Sequence, residues 1–354
     1  MEAVALRGIT KEWAGHRAVD RVDLVVEKGD FLTLLGPSGC GKTTTLRMIA
    51  GLEEPTAGEL YIDGKLVFSH EKRVNVPPAQ RNLGLIFQSY ALWPHMTVFD
   101  NVAFGLVQKK LPAAEIQERV RAALKMVDLA GLEGRFPSEL SGGQQQRVAV
   151  ARMLVIQPSL LLMDEPLSNL DARLRMQMRA ELKHMHEQTG VTVIYVTHDQ
   201  EEALTMSTKV AVMKDGRVEQ LAPPDEIYER PATRFVADFT GNPRTNFLPA
   251  ALVWGPGAPE GVELAARPED IRLHRQEKPG LLSGTVYASL PAGAHVLVYV
   301  QVNGLELVVR EARGSRYRIG ERVWLEFDRE RLNAFDVATG KRVAVYPAAA
   351  VKGR

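Results

Sequence analysis

Short apolar runs alternate with stretches of helical period between Phe31 and about Ala222. The runs FLTLL, LLLMD and VTVIYVT are each followed by a segment with apolar residues at helical spacing, such as KTTTLRMIAGL after the first run. Continuous apolar runs of this length are typical of strands that are buried on both faces of a parallel sheet. The pattern therefore predicts an α/β fold in which helices cover a parallel sheet.

Regions of different character flank this alternating part. Residues Val22 to Val26 and the opening residues predict further strands, and the Asp63-Gly64 pair in ELYIDGKLVF predicts a hairpin, so we expect an antiparallel β flank. After Phe239 the segment GNPRTNFLPAALVWGPGAP is rich in Gly, Pro and Asn, which predicts a linker. We therefore predict two domains, residues 1–239 and residues 240–354.

The C-terminal part has the pattern of a small all-β domain. HVLVYVQV alternates, LELVVR and RVWLEFD follow, and turn residues such as Asn303-Gly304 separate these runs. The pattern predicts a small barrel or sandwich.

Composition narrows the possible functions. The 354 residues include 44 Lys plus Arg and 43 Asp plus Glu, which gives a formal net charge of +1. The chain has no surplus of positive charge with which to bind a nucleic-acid phosphate backbone. General nucleic-acid binding is therefore not expected. No apolar run reaches the roughly 18 residues of a membrane-spanning helix. One cysteine, Cys40, excludes an internal disulfide.

A glycine-rich segment marks the first candidate site. GPSGCGKT fits the pattern G-x-x-x-x-G-K-[ST] and lies between a predicted strand and a predicted helix. Its backbone amides can wrap an anion, Lys42 can neutralise the β and γ phosphates, and the Thr43 hydroxyl can hold Mg²⁺. Cys40 fills a variable position and is expected to be structurally neutral. The predicted nucleotide-binding residues here are Gly36, Pro37, Ser38, Gly39, Cys40, Gly41, Lys42, Thr43 and Thr44.

Two carboxylates follow the apolar run LLLMD. Asp164 and Glu165 stand at the predicted carboxyl end of a strand, which is the edge where open α/β sheets bind ligands. Beside a nucleotide, Asp164 suits the Mg²⁺ shell and Glu165 suits a general base that activates the attacking water.

A second glycine-containing segment, LSGGQQQR, precedes the helical run VAVARMLVI. Ser141 can cap that helix, and Gly142 and Gly143 allow the backbone to approach a phosphate. At this segment the chain resembles the ATP-binding cassette (ABC) ATPases, whose signature motif is LSGGQ.

The other motifs of that family appear in order over residues 1 to about 240. By resemblance, Trp13 stacks on adenine, Gln88 in LIFQSYALWPH is the Q-loop residue, SNLD ending at Asp171 is the D-loop, and His198 in YVTHD is the switch histidine. The resemblance implies ATP and Mg²⁺ as cofactors, with Gln88 beside Thr43 and Asp164 as a metal ligand. The catalytic residues that it implies are Lys42, Gln88, Glu165 and His198.

The resemblance also implies the assembly. In a head-to-tail homodimer, ATP on one phosphate loop is covered by the other subunit's signature, so that each site is composite. The residues implied to complete the site are Ser141, Gly142, Gly143, Gln144 and Asp171.

The C-terminal segments point to one branch of the family. GNPRTNFLP and RPED (Arg267 to Asp270) resemble the regulatory TOBE domain, an oligonucleotide/oligosaccharide-binding-type fold, of carbohydrate importer ATPases of the maltose and glycerol-phosphate type. This branch implies two integral-membrane permease subunits as partners, an extracytoplasmic substrate-binding protein as an indirect partner, no nucleic acid, and a place on the cytoplasmic face of the membrane. The fold implied is a P-loop NTPase domain with an antiparallel β flank and a helical subdomain, then a small OB-like domain.

Other functions remain open at this point. Polyamine, sulfate and iron importers share the overall plan. A soluble ABC ATPase that acts on ribosomes or DNA is a further alternative, but such proteins usually carry two cassettes or a long coiled coil, and the sequence shows no second phosphate loop and no sustained heptad run. A tail that sequesters a transcription factor could coexist with transport.

Overall fold

A computed structural model describes residues 1–87 and 91–344 of the chain. These residues form two compact units that divide between Pro224 and Asp225. The strands of the first unit are β1 (Glu2–Trp13), β2 (His16–Glu27), β3 (Phe31–Leu35), β4 (Ala57–Ile62), β5 (Lys65–Ser69), β6 (Val74–Asn75), β7 (Leu83–Ile86), β8 (Leu160–Asp164), β9 (Thr192–Thr197), β10 (Lys209–Lys214) and β11 (Arg217–Ala222). Its helices are α1 (Lys42–Ala50), α2 (Val98–Gln108), α3 (Ala113–Met126), α4 (Gly142–Leu154), α5 (Ala172–Thr189) and α6 (Gln200–Met206).

The central sheet of this unit has the strand order β11-β10-β3-β9-β8-β7. All neighbours pair in parallel except β10 and β11. Every residue of β3, β8 and β9 is buried. Leu32 and Leu34 enter one core, which holds α1, whereas Phe31 enters another, which holds α5. The predicted α/β architecture with a sheet buried on both faces is confirmed.

The predicted antiparallel flank is a second sheet with the order β2-β1-β4-β5-β6. Ile62 pairs with Lys65, so Asp63 and Gly64 form the tight turn of the β4–β5 hairpin. Both residues have positive φ, 48° and 73°, as the predicted Asp-Gly turn requires.

A helical subdomain lies between β7 and β8 in the chain. α2, α3 and α4 share a core to which Val102, Val120 and Val148 contribute. Such an apolar stripe on each helix is what the helical spacing of these residues predicts. No helix within the described ranges is long and apolar enough to span a membrane.

The second unit is mostly β. Its helices are α7 (Pro224–Glu229), which begins at the last residue of the first unit, α8 (Arg234–Phe239) and α9 (Ala250–Trp254). Its strands are β12 (Asn246–Pro249), β13 (Val262–Ala266), β14 (Ile271–His274), β15 (Leu282–Pro291), β16 (His295–Val302), β17 (Leu305–Ala312), β18 (Arg322–Phe327), β19 (Asn333–Asp336) and β20 (Arg342–Val343). They form sheets in the orders β12-β13-β19-β20 and β14-β18-β15-β16-β17, with a common core.

The segment predicted as a linker is part of this second unit, and that prediction is wrong. It contains β12 and α9, and Leu248 and Ala250 are buried in the core. The Asn246 side chain donates to the carbonyls of Ala266 and Val308 at 3.2 and 2.8 Å and accepts the Val308 amide at 2.7 Å. The sequence pattern suggests a turn at this asparagine, but its side-chain hydrogen bonds are made to backbone groups distant in the chain.

The division between the units precedes the boundary that the sequence suggested at Phe239. The buried Arg267 donates to the Ala237 carbonyl at 3.0 Å and to the Tyr228 carbonyl at 2.9 Å. The Arg234 amide donates to the Gly340 carbonyl at 2.7 Å. These hydrogen bonds hold α7 and α8 in the second unit.

We predict that chains truncated at Pro224 and at Phe239 differ in stability. A chain ending at Pro224 should fold as the parent's first unit does, because it removes α7 and α8 together with their partners. A chain ending at Phe239 keeps Ile227, Val236 and Ala237, which are buried in the full chain, but it lacks Ala265 and Phe335, which pack in one cluster with Ala237. It should bind more hydrophobic dye and aggregate at lower temperature, as measured by dye fluorescence and light scattering. Equal behaviour of the two truncations would place the independent boundary at Phe239.

Candidate functional site

The glycine-rich loop joins β3 to α1 at the carboxyl edge of the central sheet. A Cβ on Gly36 would lie 2.4 Å from the Met213 carbonyl oxygen, and one on Gly41, where φ is 102°, would lie 2.4 Å from the Ala18 carbonyl oxygen. Only glycine fits these two places. Ser38 and Gly39 are exposed, so the tip of the loop is open to a ligand. The loop therefore has the close-packed ends and open tip of an anion cradle.

Lys42 is the first residue of α1, and its side chain is buried under the loop. Its Nζ donates to the carbonyls of Gly36 and Pro37 at 2.7 and 2.9 Å. These hydrogen bonds hold a positive charge inside the loop, beside the positive end of the helix.

Thr43 and Asp164 bring two oxygen ligands together. The Thr43 hydroxyl donates to Asp164 Oδ1 at 2.9 Å. Burial raises the pKa of Asp164 above its usual value, although the hydrogen bond from Thr43 and the charges of Arg47 and Lys42 oppose this. A hydroxyl and a carboxylate next to phosphate oxygens and water form the hard-oxygen set that Mg²⁺ prefers. In the described part of the chain, no three His, Cys, Asp or Glu side chains cluster as a metal site of their own.

Glu165 follows β8 in a left-handed backbone conformation, with φ of 44°. Its amide donates to the Val196 carbonyl of β9 at 3.0 Å, and its own carbonyl accepts from the Ser168 amide and hydroxyl at 3.2 and 2.9 Å. These hydrogen bonds fix a conformation that an L residue rarely adopts. The carboxylate reaches His198, whose Nδ1 lies 3.3 Å from Glu165 Oε2.

His198 follows the end of β9, and its side chain is 58% exposed, whereas that of Glu165 is 23% exposed. A carboxylate and an imidazole in contact, partly open to solvent and at the same sheet edge as the loop, can exchange or hold a proton. The structure thus brings together the Lys42 loop, the Thr43–Asp164 pair and the Glu165–His198 pair, all of which the sequence singled out.

The LSGGQ segment begins the helix α4 of the helical subdomain. Ser141 is its N-cap: its hydroxyl accepts from the Gln144 amide at 3.3 Å, and the Gln144 side chain accepts from the Ser141 amide at 2.9 Å. Gly142 is exposed, and a Cβ on Gly143 would lie 2.8 Å from the Leu174 side chain. This capped N-terminus presents backbone amides of the kind that bind phosphate.

The remaining predicted residues have different surroundings. Asp171 is the N-cap of α5 and accepts from the Leu174 amide at 3.0 Å. Trp13 ends β1, is 44% exposed, and has Lys11 Nζ 5.0 Å from its ring centre. Gln88 lies outside the described residues. Thr44, next to Thr43 in α1, is half-buried.

The sequence did not single out Ser168 for its hydroxyl, which supports Glu165. A hydroxyl residue that stands three positions after a strand-end carboxylate could have been recognised as a side-chain turn. It also did not single out Arg175 and Asp199, whose contact joins residues that are far apart in the chain.

Two family models match the chain. Residues 19–168 match the model described as ABC transporter, and residues 264–335 match the model described as TOBE domain. The trehalose/maltose import ATP-binding protein MalK of Thermococcus litoralis is 45% identical over 97% of this chain and 100% of its own length. The sn-glycerol-3-phosphate import ATP-binding protein UgpC of Salmonella typhi is 43% identical over 97% of this chain and 100% of its own length. The spermidine/putrescine import ATP-binding protein PotA of Methylococcus capsulatus is 46% identical over 96% of this chain and 89% of its own length.

Solved structures resemble part of the chain. The cbiO1 protein from Clostridium perfringens, part of the ABC transporter complex cbiONQ, superposes with a TM-score of 0.59 at 30% identity and covers 64% of this chain and 90% of its own. The dimeric post-hydrolysis ATP-binding cassette MJ0796, bound to ADP and Pi, superposes with a TM-score of 0.54 at 34% identity. The match covers 62% of this chain and 98% of that cassette.

We predict that Cys40 reacts slowly with thiol reagents. Its side chain is buried, and burial raises its pKa even though Lys42 lies nearby, so the reactive thiolate is scarce at neutral pH. Because it is the single cysteine, a colorimetric thiol reagent reports this position alone. Labelling should be slow with or without MgATP, complete in denaturant, and faster as the pH rises. Rapid labelling of the native chain at pH 7 would contradict the buried placement.

Proposed function

Since this chain belongs to the ABC transporter family, we propose that it is the ATP-hydrolysing subunit of an importer for a sugar or sugar derivative. It acts as a head-to-tail homodimer on two separate integral-membrane subunits, at the cytoplasmic face of the membrane. The observation that carries the catalytic part is the contact between Glu165 and His198 beside the Thr43–Asp164 pair, at the sheet edge where the Lys42 loop begins α1.

We assign the following roles to the residues of the site. The loop amides and Lys42 bind the phosphates, and Trp13 offers its indole face to the adenine. Thr43, Asp164 and Gln88 would hold Mg²⁺, which supplies positive charge next to the transferred phosphoryl group. Ser141, Gly142, Gly143, Gln144 and Asp171 complete the partner's site.

Hydrolysis requires a base for the attacking water. The Glu165 carboxylate accepts one proton as the water oxygen bonds to the γ-phosphorus and the bond to the β-phosphate oxygen breaks, which gives ADP and phosphate. His198, in contact with the same carboxylate, orients the carboxylate and the water.

The choice of substrate rests on the C-terminal part. The TOBE match and the GNPRTNFLP segment, together with MalK and UgpC relatives that align along their whole length, support a sugar or sugar phosphate. Polyamine import is the second candidate, because the PotA relative is 46% identical. An extracytoplasmic binding protein would deliver the substrate in either case.

We predict that Glu165→Gln separates binding from chemistry. Glutamine keeps the size of the side chain but cannot take the proton, so ATP turnover should fall by a factor of about 10² to 10⁴ while MgATP affinity stays close to that of the parent chain. Uncleaved ATP should also hold two chains together, which size exclusion in MgATP would show as a shift to dimer. Lys42→Ala is the contrast, because loss of the phosphate contact should weaken binding itself and give no ATP-induced dimer.

The same variant distinguishes the substrates. In the native host, the chromosomal Glu165→Gln change should abolish uptake of the true substrate, and radiolabelled maltose, glycerol phosphate and spermidine can be compared directly. Loss of spermidine uptake alone would overturn the sugar assignment. Near-normal ATP turnover of the purified variant would refute Glu165 as the base.

We predict that Trp13→Ala weakens nucleotide binding. Stacking of an indole on a base contributes roughly 1 to 3 kcal/mol, so the Kd for ATP should rise about fivefold or more. Trp13→Phe keeps an aromatic face and should recover most of the affinity. An unchanged Kd in Trp13→Ala, measured by calorimetry, would make this residue a packed surface aromatic only.

A further inference from the structure

Arg175, in the first turn of α5, contacts two loops at once. Its Nη2 donates to the Leu170 carbonyl at 3.0 Å, and its Nη1 lies 3.6 Å from Asp199 Oδ2. Leu170 belongs to the loop between Glu165 and α5, and Asp199 directly follows His198. One guanidinium therefore spans the loop that leaves the base and the loop that carries the histidine.

Both ends of this contact are tied to the Glu165–His198 pair. On one side, Ser168 donates its amide and hydroxyl to the Glu165 carbonyl at 3.2 and 2.9 Å. On the other side, Asp199 neighbours His198, whose Nδ1 lies 3.3 Å from the Glu165 carboxylate. The contacts close a ring that runs from Glu165 through its loop, Arg175, Asp199 and His198 back to Glu165.

Stability alone does not account for Arg175. Its Nε is buried and makes no hydrogen bond to any residue in the described ranges. A buried donor without a partner costs stability, whereas an apolar side chain at this position would avoid that cost. Arg175 therefore connects the two loops at some cost in the stability of the fold.

We propose that Arg175 is a positioning residue for ATP hydrolysis. It holds the loops of Glu165 and His198 in a fixed position relative to each other. This inference rests on the proposed function, in which Glu165 receives the proton from water. Without the guanidinium, one of the ties between the two loops is lost, and the carboxylate and imidazole spend less time aligned. Binding of MgATP depends on the Lys42 loop and should be little affected.

The chain offers a variant that removes only the ion pair. Asp199 uses Oδ1 to cap α6, accepting from the amides of Glu201 and Glu202 at 2.8 and 3.2 Å, and uses Oδ2 for Arg175. Asparagine is an equally good N-cap. Asp199→Asn therefore keeps the helix cap while it removes the charge.

The chain also offers a matched control. Arg179, one turn further along α5, pairs with Glu201 of α6 at 2.9 Å. Arg179→Gln removes an ion pair between α5 and α6, one turn away from the Arg175–Asp199 contact.

The test measures steady-state ATPase activity, MgATP affinity and melting temperature of full-length Arg175→Gln, Asp199→Asn, the double variant and Arg179→Gln. We expect kcat to fall about tenfold in Arg175→Gln and in the same direction in Asp199→Asn, with KM and the Kd for MgATP within about twofold of the parent. The double variant should be no slower than Arg175→Gln, because both changes break one contact. Arg179→Gln should keep kcat within about twofold.

Two results would overturn the proposal: the same kcat in Arg175→Gln as in Arg179→Gln, or a kcat loss that comes with an equally large loss of MgATP affinity. If Arg175→Gln does not fold, Asp199→Asn decides by the same criteria. A parent chain that hydrolyses no ATP would refute the proposed function itself, whereas an active parent with an unaffected Arg175→Gln refutes only the positioning role.

Discussion

Burial of β3, β8 and β9 on both faces is the constraint on which the site depends. Since every side chain of these strands is buried, the polar groups of the site lie where the strands end. β3 leads into the glycine-rich loop, β8 ends at Asp164 with Glu165 directly after it, and β9 ends just before His198. The order β3-β9-β8 makes these ends neighbours, and parallel pairing puts them at the same edge. The Glu165 amide then donates to the Val196 carbonyl at 3.0 Å, so that Glu165 is attached to the strand that leads to His198.

The features that could be predicted from sequence are local ones. The buried strands, the Asp63-Gly64 hairpin and the glycine-rich loop each depend on a few consecutive residues, whose backbone requirements determine their conformation. The linker prediction failed because Asn246 bonds to Val308, a partner that no local pattern indicates. The contact between Arg175 and Asp199 was missed for the same reason. Sequence patterns located the chemical groups, but the contacts that orient them join distant segments.

The backbone at Glu165 shows how that orientation is maintained. An L residue in the left-handed region costs roughly 1 to 2 kcal/mol, and the φ of 44° persists because the Glu165 amide and carbonyl are both hydrogen bonded. Glycine would adopt this conformation without strain but would bring no carboxylate. The fold therefore accepts backbone strain at the residue whose carboxylate contacts His198.

The two consecutive carboxylates thus have different environments and suit different tasks. Asp164 is buried, and burial raises its pKa, so its ionised form is disfavoured in the folded chain relative to the unfolded one. A bound cation favours the ionised form, which means that cation binding and deprotonation of Asp164 support each other. Glu165 is more open to water, and its carboxylate contacts His198, which is the setting that the proposed general base needs. Two residues adjacent in sequence therefore have different surroundings, which agrees with the separate roles proposed for them: Asp164 as a Mg²⁺ ligand and Glu165 as the base.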